Sequence, residues 1–76
     1  MVKAFVLITA KPGAENELAE RLRSLEEVED AWAVYGEYDI IALVSVKSLR
    51  DLDYFVTDKI RRNEDVRFTS TMICIK

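Results

Sequence analysis

The sequence predicts a single α+β domain in which two helices cover one side of a four-stranded antiparallel sheet. In a chain of 76 residues, apolar residues alternate with a period of two in four segments and recur at helical spacing in two others. These segments follow one another in the order β-α-β-β-α-β. Two right-handed crossovers, each with one helix, place both helices on the same side of the sheet. This is the ferredoxin-like arrangement.

The first half of the chain is predicted to form a strand, a helix and a second strand. The segment from Lys3 to Thr9 is apolar on both faces, which is typical of a central strand. Between Ala14 and Leu25, leucines recur at helical spacing, and the charges suit the helix dipole. The second strand runs from Val28 to Tyr35, with Val28 and Trp32 expected on one face, and its acidic start indicates an edge.

A glycine turn leading into an apolar strand is the central feature of the sequence. Gly36 can adopt a positive φ, which the tyrosines at positions 35 and 38 could adopt only at a cost. The segment from Asp39 to Val46 follows as a buried third strand, and it forms a hairpin with the second. Asp39 at its start either holds an amide of the turn or faces a ligand.

The second helix and the last strand complete the pattern. Ser48 and Asp51 have the spacing of a capping box, and Arg61-Arg62 end the helix. The buried stripe of this helix is expected to comprise Leu49, Leu52, Val56 and Ile60, with Phe55 beside it. The last strand is predicted from Val66 to Ile75.

The apolar content predicts self-association. Half of the residues are apolar, which is more than two short helices and one small sheet can bury. The helices cover one face of the sheet, whereas the first and third strands are apolar on both. We therefore expect the uncovered face to pack against a second copy, which gives a dimeric α/β barrel. The isolated monomer is not expected to be stable.

Composition excludes several classes of function. The chain has no His and only one cysteine, so zinc sites and histidine-based triads are excluded, and no cofactor is expected. A net charge of −3 gives no electrostatic basis for binding nucleic acid. No segment is long enough to span a membrane, and neither a signal peptide nor a disulfide framework is present, so a cytoplasmic protein is expected.

A few polar residues remain as a candidate site. Asp39, Thr69 and Thr71 either have local structural roles or converge with the turn amides on a small zwitterion. In such a site the ammonium group needs an anionic acceptor, and the carboxylate needs amides and hydroxyls. Tyr35 and Tyr38 either line this pocket or pack at an interface. Trp32 is interpreted as an anchor of the core or of a dimer interface, and Cys74 as a small buried residue.

Two segments carry a family resemblance. Residues 34–39 with the apolar strand that follows, and residues 66–73, resemble the effector-binding (RAM) domain of the Lrp/AsnC family of transcription regulators over essentially the whole chain. The resemblance implies sheet-to-sheet dimers that assemble further into octamers and bind amino-acid effectors between dimers. It also implies an effector site formed by Gly36, Tyr38, Asp39, Thr69 and Thr71. Glu64-Asp65 departs from the Pro-Gly that is frequent in the family.

The N-terminus also departs from the family. Its regulators carry an N-terminal helix-turn-helix, whereas the first strand here begins at Lys3. Residues 1–76 are thus expected to be a stand-alone effector-binding domain, without direct DNA binding, that modulates a full-length Lrp/AsnC regulator or another partner. The alternatives are a cofactor-independent enzyme similar to the monooxygenases of the dimeric α/β-barrel class, and a purely structural assembly domain. A closed pocket between sheet and helices would favour the enzyme.

Overall fold

The computed structural model describes residues 1–76 and has the predicted order of elements. The strands are β1 (Val2–Ala10), β2 (Val28–Ala33), β3 (Ile40–Val46) and β4 (Val66–Ile73). The helices are α1 (Glu15–Arg23) and α2 (Leu49–Phe55), and α2 continues into a π-helical turn (Val56–Ile60). All paired strands are antiparallel, in the order β2-β3-β1-β4. The prediction that the first and third strands are central is confirmed. Neither helix is long and apolar enough to cross a membrane.

The core lies between the sheet and the helices. Alternate residues of β1 and β3 face the helices, so that Val6, Ile8 and Val44 are fully buried. Leu18 and Leu22 of α1 pack into the same core. All 16 buried residues are apolar, and none is polar or charged. The space between sheet and helices is therefore filled by hydrocarbon side chains.

The second helix begins as predicted, but the first residue of its predicted buried stripe is exposed. Ser48 Oγ accepts a hydrogen bond from Asp51 N–H at 3.1 Å, which confirms the N-cap. Leu49, by contrast, is 59% exposed, so the prediction that it belongs to the stripe is wrong. Leu49 lies in the first turn, beyond the part of the helix that packs on the sheet.

The predicted end of the stripe, Ile60, is buried, and a π-helical turn explains why Phe55 is more deeply buried than Val56. Arg61 N–H donates to Val56 O at 2.8 Å, a bond that spans five residues instead of four. The wider turn places Ile60, five residues after Phe55, on the buried face, and Phe55 itself is buried rather than beside the stripe. Residue spacing alone did not indicate this turn.

A β-bulge in β2 overturns one prediction about faces. Val28 pairs with Val44, and Asp30 pairs with Leu43, so β2 has one extra residue between them. Val28 is consequently buried against the helices, while Trp32 is 39% exposed on the opposite face. The prediction that these two residues share a face is wrong, because a bulge shifts the alternation by one residue.

The sheet face away from the helices is uncovered and largely apolar. The strand register places Phe5 between Leu43 and Met72, and in the next row Leu7 lies beside Ile41. We call this surface the open face, and it comprises Phe5, Leu7, Trp32, Ile41, Leu43, Phe68 and Met72. Met72 is 59% exposed in the single chain. The predicted uncovered apolar face is therefore present, and Trp32 belongs to it rather than to the core.

The end of the chain is exposed. Cys74 is exposed, so the prediction that it is buried is wrong. β4 ends at Ile73, two residues before the predicted end, and residues 71–76 are all exposed. The alternation of apolar residues identifies a strand, but it does not show whether any other element covers it.

One ion pair joins the segment before β2 to the π-helical turn. Lys59 Nζ donates to Glu27 Oε2 at 2.9 Å. This hydrogen bond holds the pKa of Glu27 below its ordinary value of 4.5. A carboxyl group with a lowered pKa stabilises the fold at pH values above its unfolded-state pKa, and this contribution is lost as the pH falls through the folded-state pKa.

We therefore expect Glu27→Gln to lower the Tm at neutral pH, and we expect the difference from wild type to shrink as the pH falls through the lowered folded-state pKa of Glu27 and its carboxyl group is protonated. The measurement is thermal unfolding of both proteins across this pH range. Glu64→Gln is the control, because Glu64 is exposed and forms no ion pair. A difference in Tm between Glu27→Gln and wild type that is as large in acid as at neutral pH would contradict this role.

Candidate functional site

Four of the five predicted site residues, Gly36, Tyr38, Asp39 and Thr69, lie toward one end of the sheet, where β1 ends and β3 and β4 begin. Gly36 is exposed in the β2–β3 connection with φ of 144°, as its position in the turn predicted. A Cβ added there would have no atom within 4 Å, so the backbone at this point is open. Tyr38 and Asp39 follow as half-buried residues directly before β3.

Asp39 is fixed by three hydrogen bonds. Its N–H donates to Ile8 O at 2.9 Å, and its carbonyl accepts from Val34 N–H at 2.8 Å. Its Oδ2 accepts from Ala10 N–H at 2.7 Å. The pairing of β1 with β4 shifts register at this point, between Thr9 and Ala10. The carboxylate therefore satisfies a strand amide, although that amide belongs to β1 and not to the hairpin turn.

The second carboxylate oxygen of Asp39 has a different environment. Only Oδ2 accepts a hydrogen bond from the protein, while a carboxylate can accept about four. Because Asp39 is half-buried, Oδ1 can receive a donor from outside the chain. The structural role and the ligand-binding role considered for Asp39 are thus compatible in this geometry.

The two threonines lie on β4, on the sheet side that faces the helices. Thr69 is paired with Ile8 and Thr71 with Val6, and both of these β1 residues are buried. Since β1 lies between β3 and β4, Asp39 is about 10 Å, or two strand spacings, from Thr69. Thr71 is about 7 Å farther from the strand end. One chain thus brings Thr69 to the level of Asp39, without direct contact, and leaves Thr71 farther away.

A pocket of about 230 Å³ adjoins this end of the sheet. It is lined by Arg61, Val66, Arg67, Phe68 and Thr69. Val66 pairs with Ala10 at about one strand spacing, and the Ala10 amide donates on its other side to Asp39 Oδ2 at 2.7 Å. The Asp39 carboxylate and the pocket wall therefore lie on opposite sides of Ala10, about 8 Å apart. We call this cavity the arginine pocket.

The arginine pocket was not found from the sequence. From the sequence, Arg61 is only part of the pair that ends the second helix, and Arg67 is only a position within the predicted last strand. The turn at residues 63–65 brings the two side chains to one cavity, at the end of a π-helical turn that the spacing did not reveal. Two arginines on either side of a short turn between a helix and a strand are the only signal that the sequence offers.

A larger cleft of about 490 Å³ lies at the opposite end of the sheet. It contains the Glu27–Lys59 ion pair and is lined partly by Met1, Val46 and Asp51. None of the predicted site residues borders it. No group of three or more His, Cys, Asp or Glu side chains is placed to hold a metal ion.

Asp39→Ala should destabilise the fold by about 1–3 kcal/mol, because it leaves the partly buried Ala10 N–H without its acceptor. Asp39→Asn keeps an acceptor oxygen, so a smaller loss is expected. Urea unfolding at equal chain concentrations measures both. If Asp39→Ala unfolds at the wild-type midpoint, this hydrogen bond does not stabilise the structure.

The fold and the sequence were compared with known proteins. A family model described as the Lrp/AsnC ligand binding domain matches residues 3–76. An uncharacterised HTH-type transcriptional regulator of Pyrococcus furiosus is 36% identical over 72 residues, which cover 95% of this chain and 49% of that protein. The chain spans about half the length of the first curated relatives that it matches.

Solved structures agree with the observed fold. A hypothetical protein from Pyrococcus horikoshii is 47% identical with a TM-score of 0.94, and the match covers 100% of this chain and 92% of that one. A transcriptional regulator from Neisseria meningitidis, solved as an L-Met complex, is 21% identical with a TM-score of 0.89, over 99% of this chain and 50% of that one. At 21% identity the likeness concerns the fold alone. The predicted fold class and the predicted family are both confirmed.

Proposed function

This chain belongs to the Lrp/AsnC ligand-binding domain family, and we propose that it binds a free amino acid at the end of the sheet that carries Asp39. The observation that carries the proposal is that the two carboxylate oxygens of Asp39 have different environments. One of its oxygens is fixed by Ala10 N–H at 2.7 Å, and the other accepts nothing from the protein. A positioned oxygen of this kind suits an α-ammonium group, because both its direction and its charge are set before the ligand arrives.

The α-carboxylate of the ligand needs donors. The open backbone at Gly36 offers amides of the hairpin turn, and the hydroxyl of Thr69 lies at the same end of the sheet. Thr71 is too far from Asp39 to share a small ligand with it in one chain. A site completed by a neighbouring copy, with Tyr38 or Thr71 contributed by a second chain, would be needed to bring all five predicted residues to one ligand. The family model, described as the Lrp/AsnC ligand binding domain, supports the binding of an effector by this domain.

The enzyme alternative is not favoured. The curated relatives are named as transcriptional regulators. The region between sheet and helices, where an enzyme of this architecture would hold its substrate, is packed with 16 buried apolar residues. A regulatory role also supports a cytoplasmic location, since regulators act where the genes are.

The oligomer forms the second part of the proposal. The open face is apolar and uncovered in the single chain, and contact with the open face of a second copy would remove it from water. Dimers would then assemble further, up to an octamer, around the Asp39 ends. The Pyrococcus furiosus relative includes a region similar to 95% of this chain, which supports mixed assembly with a full-length regulator.

The module is further proposed to act as a chain of its own, without direct DNA binding. The Pyrococcus horikoshii protein supports this, because its whole chain is close in length to the matched region.

A thermal-shift screen against the standard amino acids tests the binding proposal. A ligand at about 100 times its Kd stabilises the folded state by about 2.7 kcal/mol and raises the Tm measurably. Asp39→Asn should abolish the shift while preserving the acceptor for Ala10 N–H. Asp53→Asn is the control, because Asp53 is an exposed residue of α2 without an ion pair. A well-folded oligomer that responds to no amino acid would refute the proposal.

Substitution of two equally exposed side chains tests whether the open face forms the dimer interface. Met72 lies on the open face and Leu49 on the helix side, and each is 59% exposed in the single chain. Met72→Glu should reduce the molar mass in solution or leave the chain unfolded, because it introduces a charge into the dimer interface. Leu49→Glu should leave the dimer intact. Light scattering coupled to size-exclusion chromatography measures the mass, and a wild-type mass for Met72→Glu would rule out this interface.

A further inference from the structure

The arginine pocket contains positive charge that the rest of the chain does not balance. Arg61 follows the π-helical turn and Arg67 is the second residue of β4, and both are exposed. Neither forms an ion pair, whereas the neighbouring Lys59, Arg62 and Arg21 all do. This uncompensated pair of guanidinium groups lies in a chain whose net charge is −3.

The acidic residues near the pocket do not neutralise it. Asp65, in the turn before β4, bonds to Arg21. Glu64 beside it is exposed and forms no ion pair. The remaining lining consists of Val66, Phe68 and Thr69, which offer hydrocarbon and one hydroxyl. Two planar guanidinium groups and a hydroxyl donor in a mostly polar pocket suit a carboxylate, because arginine binds carboxylates through paired hydrogen bonds.

The distance to Asp39 suggests which carboxylate this is. The Asp39 carboxylate and the pocket wall lie on opposite sides of Ala10, about 8 Å apart. In an extended glutamate the ammonium nitrogen and the side-chain carboxylate are about 5 Å apart, and a hydrogen bond of about 2.8 Å at each end allows the ligand to reach both groups. We propose that the arginine pocket binds the side-chain carboxylate of an acidic amino acid whose ammonium group is held at Asp39. This inference rests on the proposed function and specifies the class of its ligand.

Charge explains why the pocket should discriminate between ligands. A neutral amide in the same position would exchange charge-assisted hydrogen bonds for neutral ones, which are roughly half as strong. A basic side chain would meet two like charges. Acidic amino acids should therefore bind more tightly than their amides, which have almost the same shape.

Isothermal titration calorimetry on the intact protein tests the inference with two matched ligand pairs, L-glutamate with L-glutamine and L-aspartate with L-asparagine. We expect one acid to bind at least about tenfold more tightly than its amide, a difference of about 1.4 kcal/mol. Arg67→Gln and Arg61→Gln should each remove most of this preference. Arg67→Lys should restore part of it, since lysine keeps the charge and loses the paired geometry.

Arg50→Gln is the matched control. Arg50 is also an exposed arginine without an ion pair, but it lies on α2 outside the arginine pocket. Its replacement should leave the affinity for the acid and the preference over the amide unchanged. Circular dichroism of each variant verifies that the fold is retained.

The outcomes separate this inference from the proposed function. Equal affinity for acid and amide, or a preference that survives both arginine replacements, overturns the acidic ligand but leaves amino-acid binding intact. Glutarate, a dicarboxylate without an ammonium group, provides the converse test. If glutarate binds and requires Arg67 while no amino acid binds, the pocket is supported as a carboxylate site and the amino-acid function fails. If none of these compounds binds, both are refuted.

Discussion

Two helices can cover only one face of a four-stranded sheet, and in this chain the two central strands are apolar on both faces. The covered side closes into a core without a single polar residue. The other side leaves aromatic and aliphatic side chains in ordered rows across the sheet. Chains as short as this one bury too little surface to be robust alone. The apolar residues that make β1 and β3 central strands therefore leave one face of the sheet exposed in the single chain. A second copy of the chain is the simplest partner that could cover this face.

The functional end of the sheet depends on how β1 stops. Its pairing with β4 shifts after Thr9, and the Asp39 side chain accepts from the amide of Ala10 at that irregularity. One side chain thus closes a break in the strand pairing and presents its second oxygen to the outside. The arginine pocket lies on the other side of the same β1 residue, so groups of opposite charge flank the end of the strand. The candidate binding group at this end, the Asp39 carboxylate, is therefore held in place by the irregularity in the pairing of β1 with β4.

Much of this could be predicted from the sequence, because it follows from periodicity. The order of elements, the central strands, the glycine turn and the cap at Ser48 all depend on residues close together in the chain. The features that the sequence did not predict have a different cause. The bulge in β2, the π-helical turn and the exposure of Cys74 depend on which elements pack together. The pairing of Arg61 with Arg67 in one pocket depends on the same packing, whereas Asp39 was recognised because it follows a turn glycine.

Amide hydrogen exchange, measured with and without the amino acid that gives the largest thermal shift, tests the central claim most directly. Binding at the Asp39 end should slow exchange at Ala10 and at Gly36 to Asp39, and it should leave the segment near the Glu27–Lys59 pair unchanged. Such a pattern would establish that the ligand meets the chain where β1 ends. Protection confined to the cleft around Glu27 and Lys59 would contradict the account, since the ligand would then bind at the opposite end of the sheet.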